Sequence, residues 1–184
     1  MTLPNAFTFF RIILIPIFVI IFCLPFSLSG LIASIIFTIA ALTDLLDGYL
    51  ARRLNQFTDF GAFLDPVADK LMVAAALILL FQYYPKIWFT LPALIIISRE
   101  ILISALREWM AEMGKRTSVA VSRVGKFKTT LQMIAIIIIL AETSLNLVWL
   151  EFLGFTALYV STGLTIWSMV IYLKVALPDF KGSM

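Results

Sequence analysis

The sequence contains no histidine and a single cysteine, Cys23. One thiol cannot form an internal disulfide. Without imidazole, a general base must be a carboxylate, a lysine, a tyrosine or that thiol, and a metal site must use oxygen ligands or Cys23. Because Cys23 lies in an apolar run, we expect it to act as a small hydrophobic residue.

Charge is also scarce. Of the 184 residues, 14% are charged and 62% are hydrophobic, whereas an ordinary soluble domain is about a quarter charged. No basic block is interleaved with aromatic residues, which argues against a nucleic-acid partner. The composition indicates an all-α integral membrane protein with a single transmembrane domain, residues 1–184.

Long apolar runs take up most of the chain. A helix crosses the bilayer core in about 20 residues, which predicts six transmembrane helices at 9–28, 31–53, 60–82, 87–111, 120–141 and 148–175. Polar breaks separate them, and the last break is expected to be a loop over residues 142–146.

Basic residues fall almost entirely on one side of this arrangement. That side collects Arg11, Arg52, Arg53, Arg107, Lys115, Arg116, Arg123, Lys126, Lys128, Lys174 and Lys181, whereas the loops of the other side offer only Lys86. Positive residues favour the cytoplasmic side. We therefore expect both termini on the cytoplasmic side of the membrane.

Four aspartates form one pattern across the second and third predicted helices. It reads Asp44-x-x-Asp47-Gly48-x-x-Ala51-Arg52, eight residues, then Gly61-x-x-x-Asp65-x-x-x-Asp69. Residues at these spacings share a helix face, and the helical rise places Asp44 and Asp69 at similar depths, roughly 20 Å from the outer end. Carboxylates are costly in a membrane, so they indicate function.

Convergent carboxylates cannot all be ionised together without a cation, and oxygen ligands suit Mg²⁺, Mn²⁺ or Ca²⁺. Glycine allows close approach of a ligand, and Arg52 suits a phosphate. The pattern indicates metal-assisted phosphoryl transfer at a membrane surface. A small cation transporter is the alternative. Against it, all four acids lie near one surface, and the other side has charge only at predicted loops and helix ends, at Lys86, Glu142 and Glu151.

A second set of basic residues, which includes Arg11, Arg99, Arg107 and Lys126, indicates that the site binds a second anion. Arg99 lies roughly 18 Å from the outer end of its predicted helix, which is too deep for a rim residue. The alternative role for Arg99 is a structural pairing with Glu100 or an aspartate. So many cations around the acids favour a phosphorylated alcohol as the acceptor over inositol, serine or choline. For Lys115, Arg116 and Arg123 we favour the alternative of a rim that binds anionic lipid headgroups.

The aspartate pattern resembles the signature of the CDP-alcohol phosphotransferase family, and every fixed position matches. The resemblance implies that family's six-helix fold, a homodimer, and one or two Mg²⁺ or Mn²⁺ ions. It implies metal ligation by Asp44, Asp47, Asp65 and Asp69, with Asp69 also the general base. It further implies that the CDP end of the donor is lined by Asp47, Gly48, Ala51, Arg52 and Gly61.

Other segments resemble the bacterial members of this family that use sn-glycerol 3-phosphate. They are Pro4 through Arg11, Phe60 through Lys70, Arg99 through Trp109, and Gly125 through Thr129. The resemblance implies transfer of a phosphatidyl group from CDP-diacylglycerol to that acceptor. Its phosphate would be bound by Thr8, Arg11, Arg99, Arg107 and Lys126. Phosphatidylglycerol and inositol phosphate are the alternative acceptors.

Overall fold

The structure is a computed structural model that describes residues 3–54, 59–113 and 123–182 of the chain. Within these ranges, side chains are described for residues 6–46, 61, 63–113 and 127–174.

Six helices account for nearly all of the described backbone. They are α1 (Leu3–Cys23), α2 (Ser29–Leu54), α3 (Asp59–Tyr83), α4 (Ile87–Glu112), α5 (Arg123–Leu145) and α6 (Val148–Gly182). The prediction of an all-α protein with six helices is confirmed. In the described ranges, five of them (α1, α2, α4, α5 and α6) are long and apolar enough to cross a membrane. The sixth, α3, joins an acidic first half to an apolar run over residues 71–81.

Several helix ends differ from the predicted spans: α1 begins earlier, at Leu3, and α6 continues to Gly182. Two further differences have a local cause. Helix α1 ends at Cys23 rather than at residue 28, because Pro25 disfavours helical backbone at the residue before it. The predicted loop over residues 142–146 is wrong for most of its length, since α5 continues to Leu145. Asn146 ends that helix with a φ of 50°, a left-handed conformation that asparagine tolerates better than most residues.

Glu142 therefore lies inside α5, where it is buried at 6% exposure. The hydroxyl of Tyr84, in the α3–α4 connection, donates a hydrogen bond to it, and the Tyr83 hydroxyl donates to the Thr143 carbonyl at 3.1 Å. Burial, reinforced by the bond to Glu142, raises the pKa of Tyr84 above its ordinary value. The phenol therefore keeps its proton and remains a donor, which satisfies the buried carboxylate.

The helices do not simply pack in chain order. The most extensive contacts join α5 to α6, α1 to α2 and α2 to α5, whereas the consecutive helices α3 and α4 touch sparingly. Small residues allow the close α2–α5 crossing: the Ser34 hydroxyl donates to the Ile137 carbonyl at 2.9 Å, and the Leu31 amide donates to the Ser144 hydroxyl at 3.1 Å.

Candidate active site

A cavity of about 330 Å³ opens among five helices near the end of α2 and the start of α3. Its wall is formed by Asp44, Asp65, Pro66, Asp69, Lys70, Arg99, Glu100, Arg107, Lys128, Thr129 and Tyr172. Three of the four predicted metal ligands thus line one cavity together with two predicted phosphate-binding arginines.

Acidic and basic residues occupy different parts of the wall. Among the described side chains, four acids and four bases line the cavity. Three of the acids come from α2 and α3, and three of the bases come from α4 and α5. Most of the acids and most of the bases thus come from different helices, so the acids of α2 and α3 suit a cation and the bases of α4 and α5 suit an anion.

On the acidic side, two residues of α1 contact the aspartates. Arg11 is 1% exposed, and its Nη1 lies 3.1 Å from Oδ1 of Asp44. The Thr8 hydroxyl donates to Oδ1 of Asp65. Sequence reasoning predicted Thr8 and Arg11 at the acceptor phosphate, whereas these contacts join both residues to predicted metal ligands. Asp44 is only half-buried, and its carboxylate limits the cost of burying the charge of Arg11.

The donor chemistry of the acidic side fits a hard divalent cation, because the wall offers carboxylate oxygens from Asp44, Asp65 and Asp69. Among the described side chains, no three acidic or thiol groups are already gathered at metal-ligand spacing. The fourth predicted ligand, Asp47, lies on α2 with its side chain outside the described set.

On the basic side, Arg99 is 5% exposed and anchored at both ends of its guanidinium. Its Nη1 lies 2.7 Å from Oε1 of Glu100, and its Nη2 donates to the Ser168 hydroxyl on α6 at 3.3 Å. Lys128 Nζ lies 3.7 Å from the same Glu100 oxygen. The pairing of Arg99 with Glu100 that sequence reasoning allowed is therefore observed, and Arg99 also lines the cavity.

Tyr172 of α6 completes this wall. Its ring is 5.8 Å from the guanidinium carbon of Arg99 and 5.6 Å from that of Arg107, measured to the ring centroid. Both distances lie within the range of a cation–π interaction. The aromatic ring therefore supports the two arginines at once.

The structure describes five predicted site residues by their backbone alone, on α2 and α5: Asp47, Gly48, Ala51, Arg52 and Lys126. Gly61 is buried on α3.

Sequence reasoning assigned no site role to four charged or aromatic residues of the wall, Lys70, Glu100, Lys128 and Tyr172. The first three had a signal, since each lies within two residues of a predicted site residue. Tyr172 had none, because it lies in an apolar stretch of α6.

A second, apolar pocket of about 180 Å³ lies between α3 and α4. It is lined by Lys70, Leu71, Val73, Ala74, Ile97, Glu100 and Ile101. Lys70 and Glu100 also line the polar cavity, so the two spaces are neighbours. The Lys70 ammonium donates to the Ser104 hydroxyl across the α3–α4 gap, which keeps its charge away from the apolar wall.

Comparison with known proteins gives one consistent result. A sequence model of the family described as CDP-alcohol phosphatidyltransferase matches residues 1–174. The chain is 54% identical over 177 residues to a protein of Salmonella typhimurium named CDP-diacylglycerol–glycerol-3-phosphate 3-phosphatidyltransferase, covering 96% of each chain. Proteins of the same name from Shigella flexneri and Escherichia coli strain K12 are also 54% identical over 96% of each chain.

Proposed function

The chain belongs to the CDP-alcohol phosphatidyltransferase family, and we propose that it transfers the phosphatidyl group of CDP-diacylglycerol to sn-glycerol 3-phosphate. The products are phosphatidylglycerol phosphate and CMP. The observation that carries this proposal is the identity of 54% over nearly the whole length of relatives named for this reaction. Because those names describe transferases, they give no support to a cation transporter.

The reaction joins the acceptor oxygen to the phosphorus that carries diacylglycerol, and the bond from that phosphorus to CMP breaks. The acceptor hydroxyl must lose its proton as it attacks. Asp69 is the proposed base, because it lines the cavity and the chain has no histidine. A carboxylate positioned within reach of the hydroxyl can take this proton.

The family is generally dependent on divalent metal ions, and we assign the ligands here to Asp44, Asp47, Asp65 and Asp69, with one or two Mg²⁺ or Mn²⁺ ions. Such an ion, when bound, neutralises pyrophosphate charge and the departing CMP. Arg11 and Thr8, through their contacts with Asp44 and Asp65, orient two of these carboxylates.

The CDP end of the donor is assigned to Asp47, Gly48, Ala51, Arg52 and Gly61, as the family signature implies.

Arg99, Arg107 and Lys126 are assigned to the acceptor phosphate, and Lys128 joins them because it is buried at the cavity wall. Three of these residues (Arg99, Arg107 and Lys128) line the side of the cavity opposite in charge to the aspartates. Guanidinium groups bind phosphate through two parallel hydrogen bonds. A phosphorylated acceptor therefore suits this wall better than a neutral alcohol does.

The acyl chains of the donor need a route into the bilayer while its headgroup occupies the polar cavity. The apolar pocket between α3 and α4 supports such a route, because it borders the polar cavity at Lys70 and Glu100. The sparse α3–α4 contact leaves room there. We assign this pocket to the first part of one acyl chain.

The whole chain is proposed to act as one transmembrane catalytic domain within a homodimer in the bacterial inner membrane. We propose that its active site and both termini face the cytoplasm, because most of the basic residues lie on that side of the predicted arrangement.

The direct test is an assay of purified protein in mixed micelles with CDP-diacylglycerol, labelled glycerol 3-phosphate and Mg²⁺ or Mn²⁺. We expect label in phosphatidylglycerol phosphate and stoichiometric release of CMP. A chelator should abolish this product, and added metal should restore it. Parallel reactions with phosphatidylglycerol or inositol phosphate test the other acceptors. Preferential use of either one would overturn the assignment of the acceptor.

A further inference from the structure

We propose that Tyr172 determines acceptor specificity, with its hydroxyl donating a hydrogen bond to the acceptor phosphate and its ring holding Arg99 and Arg107 in place. This inference rests on the proposed function, because the anion it names is the phosphate of that acceptor. It adds a residue of α6, which the family signature on α2 and α3 does not include.

The ring of Tyr172 lies against both arginines, at 5.8 Å and 5.6 Å from their guanidinium carbons. Arg99 and Arg107 are eight residues apart on α4, so they are separated by about two helical turns. One aromatic side chain from α6 therefore spans the gap between them. A phosphate bound by both arginines would lie beside this ring.

Within the described part of the chain, the buried side-chain atoms without a hydrogen-bond partner include the Tyr172 hydroxyl, Nε of Arg99 and Nζ of Lys128, which keeps only its longer ion pair with Glu100. All three belong to residues of the cavity wall. The arginine and lysine nitrogens can only donate, and the tyrosine hydroxyl can donate as well. Buried donors without acceptors are unfavourable. A phosphate offers several acceptor oxygens, and an anion is therefore the ligand that satisfies this set.

Helix α6 holds the set in position. Ser168 and Tyr172 are four residues apart and share one helix face. The Ser168 hydroxyl accepts from Nη2 of Arg99 at 3.3 Å and donates to the Thr165 carbonyl at 2.9 Å. Glu100 holds the other guanidinium nitrogen. With these contacts fixing the guanidinium of Arg99, its Nε and the Tyr172 hydroxyl are two buried groups of the described side chains that have no hydrogen-bond partner.

Tyr172 is 5% exposed and packs with Ile103, Leu106 and Met110 of α4. This packing fixes the ring before the acceptor arrives. A rigid hydroxyl can then favour a phosphorylated alcohol over a neutral one, because only the former supplies an acceptor where the hydroxyl lies.

The test is Tyr172→Phe, which removes the hydroxyl and keeps the ring on the arginines. We expect the KM for glycerol 3-phosphate to rise about tenfold, as for a lost hydrogen bond to a charged group. The KM for CDP-diacylglycerol and the unfolding temperature should not change. Tyr159→Phe is the matched control, since Tyr159 is an exposed tyrosine of the same helix that donates to the Trp88 carbonyl. An unchanged KM for glycerol 3-phosphate would overturn the proposal.

A binding measurement separates this inference from the proposed function. Inorganic phosphate should raise the unfolding temperature of the unmodified protein and raise that of the Tyr172→Phe variant less. If the protein makes no phosphatidylglycerol phosphate, the proposed function fails, yet a difference in this phosphate shift would still support an anion site at Tyr172. Equal shifts in both proteins would reject that site.

Discussion

Asp69 lies on α3, with Asp65 one turn before it and Lys70 directly after it, and it lines the same cavity as Asp44 and Arg99. A carboxylate in this cavity is the base that we propose for the acceptor hydroxyl. It is therefore the residue at which removal of one charge should affect chemistry rather than folding.

We expect Asp69→Asn to lower kcat by about 10²–10⁴-fold, the range typical of a lost general base. The amide is nearly isosteric but cannot take a proton, so the fold should be retained. The measurements are initial rates of CMP release and the unfolding temperature in detergent. Glu108→Gln, at an exposed carboxylate of α4, is the control and should leave both unchanged. Near-normal turnover of the Asp69→Asn variant would remove the base assignment.

That Asp44, Asp65, Asp69 and Arg99 would lie near one another was predictable from sequence, because the signal is local. The acids recur at helical spacing in an apolar chain, and Arg99 lies unusually deep in its predicted helix. The partners of these residues were not predictable. Arg11 contacts Asp44 across α1 and α2, and Tyr172 reaches Arg99 from α6. Such contacts depend on which helices become neighbours, and one sequence without its tertiary packing does not reveal that.

At the scale of helices, the length and hydropathy of the apolar runs were enough to predict six helices. The positions at which these helices end depended on single residues. Pro25 ends α1 early, and Asn146 with its positive φ ends α5. Glu142 looked like a loop residue because it is charged. It remains in the helix because the Tyr84 hydroxyl satisfies its carboxylate, a partner from another part of the chain.

The α2–α5 crossing depends on Gly30. A methyl group there would collide with the Thr143 hydroxyl oxygen and lie 2.7 Å from the Leu140 carbonyl oxygen. We expect Gly30→Ala to lower the free energy of unfolding by about 1–3 kcal/mol, the usual cost of overpacking. Thermal unfolding in mild detergent measures this.

Gly163→Ala is the matched control, since no heavy atom beyond its chain neighbours and the backbone of its own helical turns lies within 4 Å of the position its methyl group would take. In that variant, stability should be unchanged or higher by up to about 1 kcal/mol, because alanine favours helices more than glycine does. Equal stability of the two variants would contradict the close crossing.

The gap between α3 and α4 offers a second test at the scale of helices. Ala74→Phe should fill the apolar pocket and raise the KM for CDP-diacylglycerol about tenfold. Exclusion of two methylene groups at about 0.8 kcal/mol each accounts for this factor. The KM for glycerol 3-phosphate should not change, and a donor with short acyl chains should be less affected than one with long chains.

Val160→Phe provides the control for added aromatic bulk, because Val160 is exposed on α6 and does not line the pocket. Equal effects of the two substitutions on donor KM would indicate a general disturbance of the bundle. An unchanged donor KM in the Ala74→Phe variant would place the acyl chains elsewhere.

In the whole molecule, the first three helices and the last three helices supply different parts of the cavity wall. Helices α1 to α3 supply the aspartates with their arginine and threonine partners. Helices α4 to α6 supply Arg99, Lys128, Tyr172 and the residues that hold them. A water-soluble acceptor and a lipid donor must meet in the cavity that both sets of helices line, so the cavity must open to water at one membrane surface.

That surface is the cytoplasmic one if the positive residues set the topology, and labelling of single cysteines tests it. The native thiol, Cys23, is free and exposed, so the background is Cys23→Ser. In it, Lys86→Cys marks the α3–α4 connection and Met113→Cys marks the end of α4. Both positions are exposed.

Since translocating a chain rich in lysine and arginine is unfavourable, a membrane-impermeant maleimide should label the Lys86→Cys variant in spheroplasts with an intact inner membrane. The Met113→Cys variant should be labelled only after that membrane is permeabilised, and both variants should retain transferase activity. The reverse pattern would place the aspartates at the outer surface, away from cytoplasmic glycerol 3-phosphate, and would overturn the orientation proposed for this enzyme.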